Sequence, residues 1–283
     1  MQNKTAIALG TFDGVHIGHR AVLNLPCGYK KVAVTFTVPP KAMLSDNSGL
    51  ITTLEDKCRI LESIGIDEIC LLEFSEVRDM EALEFLEFLN KKYKPSFISC
   101  GFNYRFGKNG KGSTKTLKKY CEENQIEFRN ADCVYENDIP VSSTVIREML
   151  KNGNFSAANS LLTVPFSFET EVISGDKRGR TMGFPTVNQK YPEVLVKIKF
   201  GVYKTLVEFE EKRYQGITNI GVRPTYKSDF IISETNIIGF SGDLYGKKVR
   251  ITPLEFIREE RKFSGLEDLR EQIDKDLNFI KEK

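Results

Sequence analysis

The chain's only two histidines, His16 and His19, stand three residues apart inside GTFDGVHIGHR, Gly10–Arg20. This stretch directly follows an apolar run, Thr5–Leu9, that reads as a β-strand. Residues i and i+3 at the start of a helix face one side, so both imidazoles can address a single ligand. In a parallel βα sheet the loop after a strand's C-terminal end is where ligands bind, and the following helix N-terminus favours an anion there. Gly10 and Gly14 permit close backbone approach, and Phe12, Asp13 and Gly18 complete the loop. Imidazole N–H groups donate to phosphate oxygens, so the pattern suits nucleotide phosphates. An H-x-x-H pair taken alone also suits a solvated turn or a metal, although no third histidine or nearby cysteine offers a ligand set.

Three further segments carry chemistry. In VSSTVIR, Val141–Arg147, the hydroxyls of Ser142, Ser143 and Thr144 precede a helical pattern, which capping alone would explain. Arg147 in that helix's first turn does not follow from capping: a cation there opposes the helix dipole, and a bound anion accounts for it. The stretch EVISGDKRGRTMGFPTVN, Glu171–Asn188, concentrates Gly175, Lys177, Arg178, Gly179 and Thr181 ahead of Thr186 and Asn188. It does not match the G-x-x-x-x-G-K-[ST] P-loop. Its glycines let backbone N–H groups wrap an anion and its cations attract one, while a basic turn between strands is the alternative. Glu234, in SETNIIGF, stands in a strand-like run where a lone carboxylate commonly faces solvent. Arg258, in FIREERKF, can hold an anion or pair with a neighbouring glutamate.

These groups need elements to position them. At 283 residues with 40% hydrophobic content the chain suits two modest globular domains. Short apolar runs alternating with amphipathic stretches up to about Asn152 argue for parallel βα units. The strands are placed at Thr5–Leu9, Lys31–Phe36, Glu68–Phe74, Ser96–Gly101 and Glu127–Val134. Between them, Thr53 with Asp56 opens a helix that Gly65 ends, Leu83, Leu86, Phe88 and Leu89 form a core stripe over Glu81–Tyr93, and Ser143 precedes a helix stopped by Gly153. After Leu162 the runs become strand-like, near Phe168–Ile173, Gly201–Phe209, Tyr214–Ile220, Ile231–Phe240 and Lys248–Ile257, which suggests a small antiparallel barrel or sandwich. A last helix, capped by Ser264 and Glu267, presents Leu266, Leu269, Ile273, Leu277 and Ile280 on one face. The fold class is thus α/β plus β, with the boundary between about Asn154 and Pro165 and domains at 1–155 and 163–283.

Bulk properties bound the partners. With 41 basic and 39 acidic residues the net charge is +2, and nothing calls for nucleic acid or an acidic membrane surface. The six cysteines form no C-x-x-C pair and read as reduced core residues of a cytoplasmic protein. The first residues have too short an apolar core for a signal peptide, and no run of 18 apolar residues occurs. Oligomeric state is not legible.

The longer context of these motifs resembles a known family. G-x-F-D-G-V-H-x-G-H is similar to the signature of the bacterial FMN adenylyltransferases, members of the H-x-G-H nucleotidyltransferase superfamily. ITTLEDKCRIL (Ile51–Leu61), GFNYRFGKNGKG (Gly101–Gly112) and VSSTVIR follow in the family's order. The basic loop resembles that of riboflavin kinases, with PTVN in place of P-T-A-N, and TNIGVRPT (Thr218–Thr225), GDLYGKKV (Gly242–Val249) and FIREERKF continue the likeness. The resemblance, which covers nearly the whole chain, is to the bifunctional riboflavin kinase/FMN adenylyltransferase family. It implies a Rossmann-like adenylyltransferase domain followed by a kinase barrel, with riboflavin, FMN and ATP as substrates, FMN and FAD as products rather than redox cofactors, and Mg²⁺ accompanying ATP. It implies His16, His19 and Arg147 on the triphosphate, Asn103 and Arg258 on flavin, Thr186 and Asn188 on Mg²⁺, and Glu234 activating the ribityl hydroxyl. Two departures stand out: TFTVPP at Thr35–Pro40 puts Pro39 where the family has histidine, and Pro26 and Gly28 shorten the first helix. They leave open a kinase with a weakened adenylyltransferase half. A catalytically silent flavin or nucleotide sensor is the third reading.

Overall fold

The computed structural model describes residues 4–39, 49–174, 184–223, 230–261 and 263–281. Contacts divide the chain into two compact units: Met1–Ile146 with Leu161–Val164, and Arg147–Ser160 with Pro165–Lys283.

The first unit contains β1 (Thr5–Leu9), α1 (Ile17–Leu23), β2 (Lys30–Phe36), α2 (Leu54–Ser63), β3 (Glu68–Leu72), α3 (Phe74–Val77), α4 (Ala82–Tyr93) and β4 (Phe97–Gly101). A small hairpin, β5 (Arg105–Phe106) and β6 (Gly112–Ser113), leads into α5 (Thr114–Glu123) and β7 (Glu127–Ala131). Five of these strands pair in parallel in the order β3-β2-β1-β4-β7. The apolar runs are continuous because both faces of this sheet are covered. Ile7, Leu9, Val32 and Val34 face one buried cluster, while Ala6, Ala8 and Ala33 face another. The chain lays β2 and β3 to one side of β1 and β4 and β7 to the other, so the order reverses between β1 and β4. A crevice opens outside the carboxyl ends of the strands at such a switch point, and ligands bind there. The loops that follow β1 and β4 carry the histidine motif and the GFNYRFG segment.

Beyond β7 come a hairpin, β8 (Tyr135–Glu136) with β9 (Ile139–Pro140), and two helices, α6 (Ser143–Lys151) and α7 (Phe155–Leu161). The second unit then closes a six-stranded antiparallel barrel from β10 (Phe168–Ile173), β11 (Thr186–Lys190), β12 (Gly201–Phe209), β13 (Lys212–Arg223), β14 (Phe230–Ile237) and β15 (Lys248–Arg258), followed by α8 (Leu266–Lys281). Strand order around the barrel is β10-β11-β14-β13-β12-β15. Its interior is partly polar and joined by hydrogen bonds, with Gln189 Oε1 buried without a partner among the described residues. The hydroxyls of Thr205, Thr218 and Thr235 form a fully buried chain with 2.9 Å links, and Gln189 Nε2 donates to Thr170 O and Val249 O. Leu277 and Ile280 of α8 pack on Val202 and Ile217 outside the barrel.

Local details differ from the sequence reading. Leu83 is 58% exposed, and Phe85 takes its place in the stripe with Leu86 and Leu89, because the buried face is centred one residue away. The hydroxyl of Ser142 caps α6 by accepting from Val145 N, which leaves Ser143 for a longer-range bond. Ser264 bonds the carboxylate of Asp268 rather than that of Glu267. Only Cys70, Cys100 and Cys121 are buried; Cys27 is exposed, and Cys58 and Cys133 are intermediate. All six cysteines are free thiols. Strand β11, with no apolar alternation to announce it, is absent from the sequence reading.

Candidate functional site

The loop after β1 is tied down from several directions. Gly10 N donates to Val34 O of the neighbouring strand. Phe12 and Val15 adopt positive φ, 50° and 39°, and both side chains are fully buried, so packing holds the loop in an otherwise unfavourable conformation. Asp13, 3% exposed, accepts from Ile51 N at 2.9 Å and Thr52 N at 3.3 Å, and Gly14 N donates to Thr52 Oγ1. The ITTLEDK segment is thereby strapped to the histidine loop. Ser143 Oγ donates to Asp13 O at 3.0 Å, which brings Ser143 to the same place. At Gly18 a β-carbon would crowd the His16 imidazole at 3.1 Å and lie 3.5 Å from Val141 O. Glycine at this position thus spares the His16 ring, while the distance to Val141 O is ordinary contact.

His16, 5% exposed, is the N-cap of α1: its Nδ1 accepts from His19 N at 3.2 Å. A neutral imidazole that accepts at Nδ1 carries its proton on Nε2, so capping selects the tautomer with Nε2–H as the donor. The His19 ring stacks on His16 with centroids 3.6 Å apart, and the Phe12 ring meets it edge-on at 5.4 Å. Burial, then the charges of His16 and Lys57, push the His19 pKa well below the usual histidine range. His19 is therefore a neutral imidazole near neutral pH.

Lys57 is a charged neighbour of His19 that the motif reading passed over. Only 3% exposed, it donates from Nζ to Phe36 O at 2.6 Å and to Thr35 Oγ1 at 3.4 Å, while Thr35 itself donates to Thr11 O. Burial lowers its pKa and the nearby Asp13 charge opposes that shift. Its signal in the sequence is a lysine on the buried face of α2, in step with Ile60 and Leu61. Leu162 bridges to His16, and Thr163 donates to Val15 O from both N and Oγ1, so the stretch read as the domain boundary also borders the loop. Pro39, at the position of the departure, is buried. Asn103 lies exposed just past β4, Thr144 is exposed at the start of α6, and Arg147 is half-buried on that helix.

On the barrel, Asn188 of β11 pairs directly with Glu234 of β14, and Thr186 with Asn236. Direct cross-strand partners share a face, so Asn188 and Glu234 stand side by side. Asn188 is 6% exposed, and its Oδ1 has no hydrogen-bond partner among the described residues. An orphaned buried oxygen acceptor beside a carboxylate, with the Thr186 hydroxyl two residues away on the same strand, fits a hard divalent cation such as Mg²⁺. Next to Thr186 a cavity of about 350 Å³ is lined by Val172, Val187, Ile237, Phe240 and the segment Ser241–Tyr245. Gly175, Lys177, Arg178, Gly179 and Thr181 lie outside the described residues.

Two family models match this chain. The model described as FAD synthetase matches residues 1–145, and the one described as riboflavin kinase matches 162–283. A bifunctional riboflavin kinase/FMN adenylyltransferase of Bacillus subtilis is 34% identical over 97% of this chain and 91% of its own length. The chain belongs to the bifunctional riboflavin kinase/FMN adenylyltransferase family. The Escherichia coli K12 member is 31% identical over the same shares of the two chains. A crystal structure described as a macrolide-efflux protein from Streptococcus pneumoniae superposes with a TM-score of 0.89 at 29% identity, covering 98% of this chain and 94% of that one. Among the described residues here, no helix is long and apolar enough to cross a membrane.

One residue expected at the flavin is engaged elsewhere. The Arg258 guanidinium makes a bidentate pair with Asp276 of α8, Nε–Oδ1 3.0 Å and Nη2–Oδ2 2.8 Å, and Gln272 also donates to that carboxylate. Its ionic partner is thus a buried aspartate on the terminal helix, not an adjacent glutamate, and the pair ties α8 to the end of β15.

Proposed function

We propose that this chain makes FMN from riboflavin and ATP, then FAD from FMN and a second ATP, with the first reaction in the region 163–283 and the second in the region 1–155. The observation that carries the kinase reading is the pairing of Glu234 with Asn188 on one barrel face, with Thr186 of the same strand lining the cavity. Glu234 accepts the proton of the ribityl 5′-hydroxyl as its oxygen attacks the γ-phosphorus of ATP. The new O–P bond forms as the bond to the β-phosphate oxygen breaks, and ADP leaves. Thr186 and Asn188 would hold Mg²⁺, which would supply charge neutralisation on the phosphates. Gly175, Lys177, Arg178, Gly179 and Thr181 are assigned to the nucleotide phosphates.

In the other half, an FMN phosphate oxygen attacks the α-phosphorus of ATP and pyrophosphate leaves. No protein nucleophile is required; catalysis comes from positioning and charge stabilisation. His16 Nε2–H and the neutral His19 donate to the triphosphate, Arg147 adds charge, and Gly10, Gly14, Gly18, Ser142, Ser143 and Thr144 shape the cradle. Asn103 contacts the flavin. The site of action is assigned to the cytoplasm, a reducing compartment in which free thiols persist. Incubation with riboflavin, ATP and Mg²⁺, with the flavins separated over time, tests the reading. FMN should rise and then give way to FAD. FMN without FAD would remove the adenylyltransferase assignment, and no FMN would remove the kinase assignment.

A further inference from the structure

The face that carries Glu234 holds a second amide with no role in the chemistry above. Asn219 of β13 is the direct partner of Glu234 on the side away from Asn188, so the row across three strands reads Asn188, Glu234, Asn219. Asn219 Nδ2 donates to Glu260 Oε1 at 3.0 Å, while Asn219 Oδ1 is buried without a hydrogen-bond partner among the described residues. This orientation is determined by chemistry. An ionised carboxylate only accepts, so the amide atom against Glu260 must be the NH₂ group, and the oxygen must turn the other way. Glu260 reaches Asn219 by passing over Gly221, where any β-carbon would overlap its carboxylate. Gly221 thus admits Glu260, Glu260 orients the Asn219 amide, and a desolvated acceptor results beside the residue assigned as base. An acceptor left unpaired in a desolvated place is costly unless a ligand donor meets it.

We propose that Asn219 Oδ1 binds the substrate's polyol, accepting a hydrogen bond from a ribityl hydroxyl other than the attacking one, with Glu260 and Gly221 as positioning residues. The inference rests on the kinase reading of Glu234. Asn188 would then serve the phosphate side of Glu234 and Asn219 the alcohol side, which holds the attacking hydroxyl against the base.

The test is direct binding, followed by flavin fluorescence on the full chain, of two probes: riboflavin, and an isoalloxazine bearing a methyl group in place of the ribityl chain. Asn219→Ala and the smaller change Asn219→Ser should each weaken riboflavin about five- to tenfold, the worth of one neutral hydrogen bond, and leave the methyl flavin unchanged. Glu260→Gln, whose amide oxygen can still accept from Asn219, should stay within about threefold of the unmutated protein. Glu260→Ala, which frees the amide to turn, should lose about as much as Asn219→Ala. Equal weakening of both flavins would mean a structural role, and unchanged riboflavin affinity would mean no contact; either overturns the proposal. Failure of the unmutated chain to phosphorylate riboflavin would instead remove the kinase reading and this inference with it.

Discussion

Protonation of His19 is opposed first by burial, then by the charges of His16, whose ring stacks on it, and of Lys57. Its folded pKa lies below the unfolded value of about 6.5. Above that value both states are neutral and the group contributes nothing to pH dependence. As pH falls through about 6.5 the unfolded chain takes up a proton that the folded chain refuses, so stability declines. His19→Gln should flatten this acid-side decline in the melting temperature of the first unit between about pH 7 and 5; an unchanged profile would show that His19 titrates normally. His19→Ala should cut FAD formation from supplied FMN by about 10² to 10³ while sparing FMN formation, the usual cost of losing a preorganised donor. Equal loss of both activities in a folded variant would sink that role. Glu234→Gln keeps shape and removes the basic carboxylate, so kinase turnover at saturating riboflavin and ATP should fall by about 10² to 10⁴ while FAD formation from supplied FMN survives. Near-normal FMN production would exclude Glu234 as the base.

Elements here are held by groups distant in sequence. The seam between α8 and β15 combines the apolar contacts of Ile280 and Leu277 with the Arg258–Asp276 pair, in which the aspartate side chain is only 4% exposed. Removal of one partner leaves the other charge without compensation, which costs more than the pair itself contributes. Asp276→Ala should therefore destabilise the barrel unit by about 3 kcal/mol, the low end for a buried pair because Arg258 keeps some solvent. Denaturant unfolding reads this directly, and a change under about 1 kcal/mol would show that the apolar seam alone holds the helix.

At the scale of the whole molecule, α7 belongs by its contacts with the barrel. Phe155 is 1% exposed, with its ring 5.2 Å from Tyr203 and 5.8 Å from Phe166, and Asn159 accepts from Phe166 N and donates to Pro253 O. A fragment starting near Thr163 should still make FMN, because Thr186, Asn188 and Glu234 all lie beyond it. A fragment starting at Arg147 should be the more stable by at least about 3 kcal/mol, the cost of emptying one buried phenylalanine site. A folded but inert fragment, beside an active full chain, would show that the two activities are not separable there.

Much of this was legible locally. The bounds of β1, β10 and β12, the Thr53 cap and the switch from helical to strand-like texture after Leu162 all follow from short-range periodicity, capping and turn chemistry. The order of the motifs likewise located the histidine loop, the PTVN segment and Glu234. Which side chains meet was decided by tertiary structure. TVNQK has too little apolar alternation to declare itself a strand, and β11 exists because β10 and β14 flank it and take up its backbone hydrogen bonds. Only that register places Asn188 against Glu234, and only the next one places Asn219 on the other side. Lys57 broke the apolar stripe of α2 visibly, but the carbonyl that receives it lies on another element. Arg258 carried no mark of Asp276, and Leu83 and Phe85 were both candidates for the same face until packing chose. Periodicity reports which face of an element is apolar, whereas strand register and ion-pair choice depend on groups brought together by the closed fold.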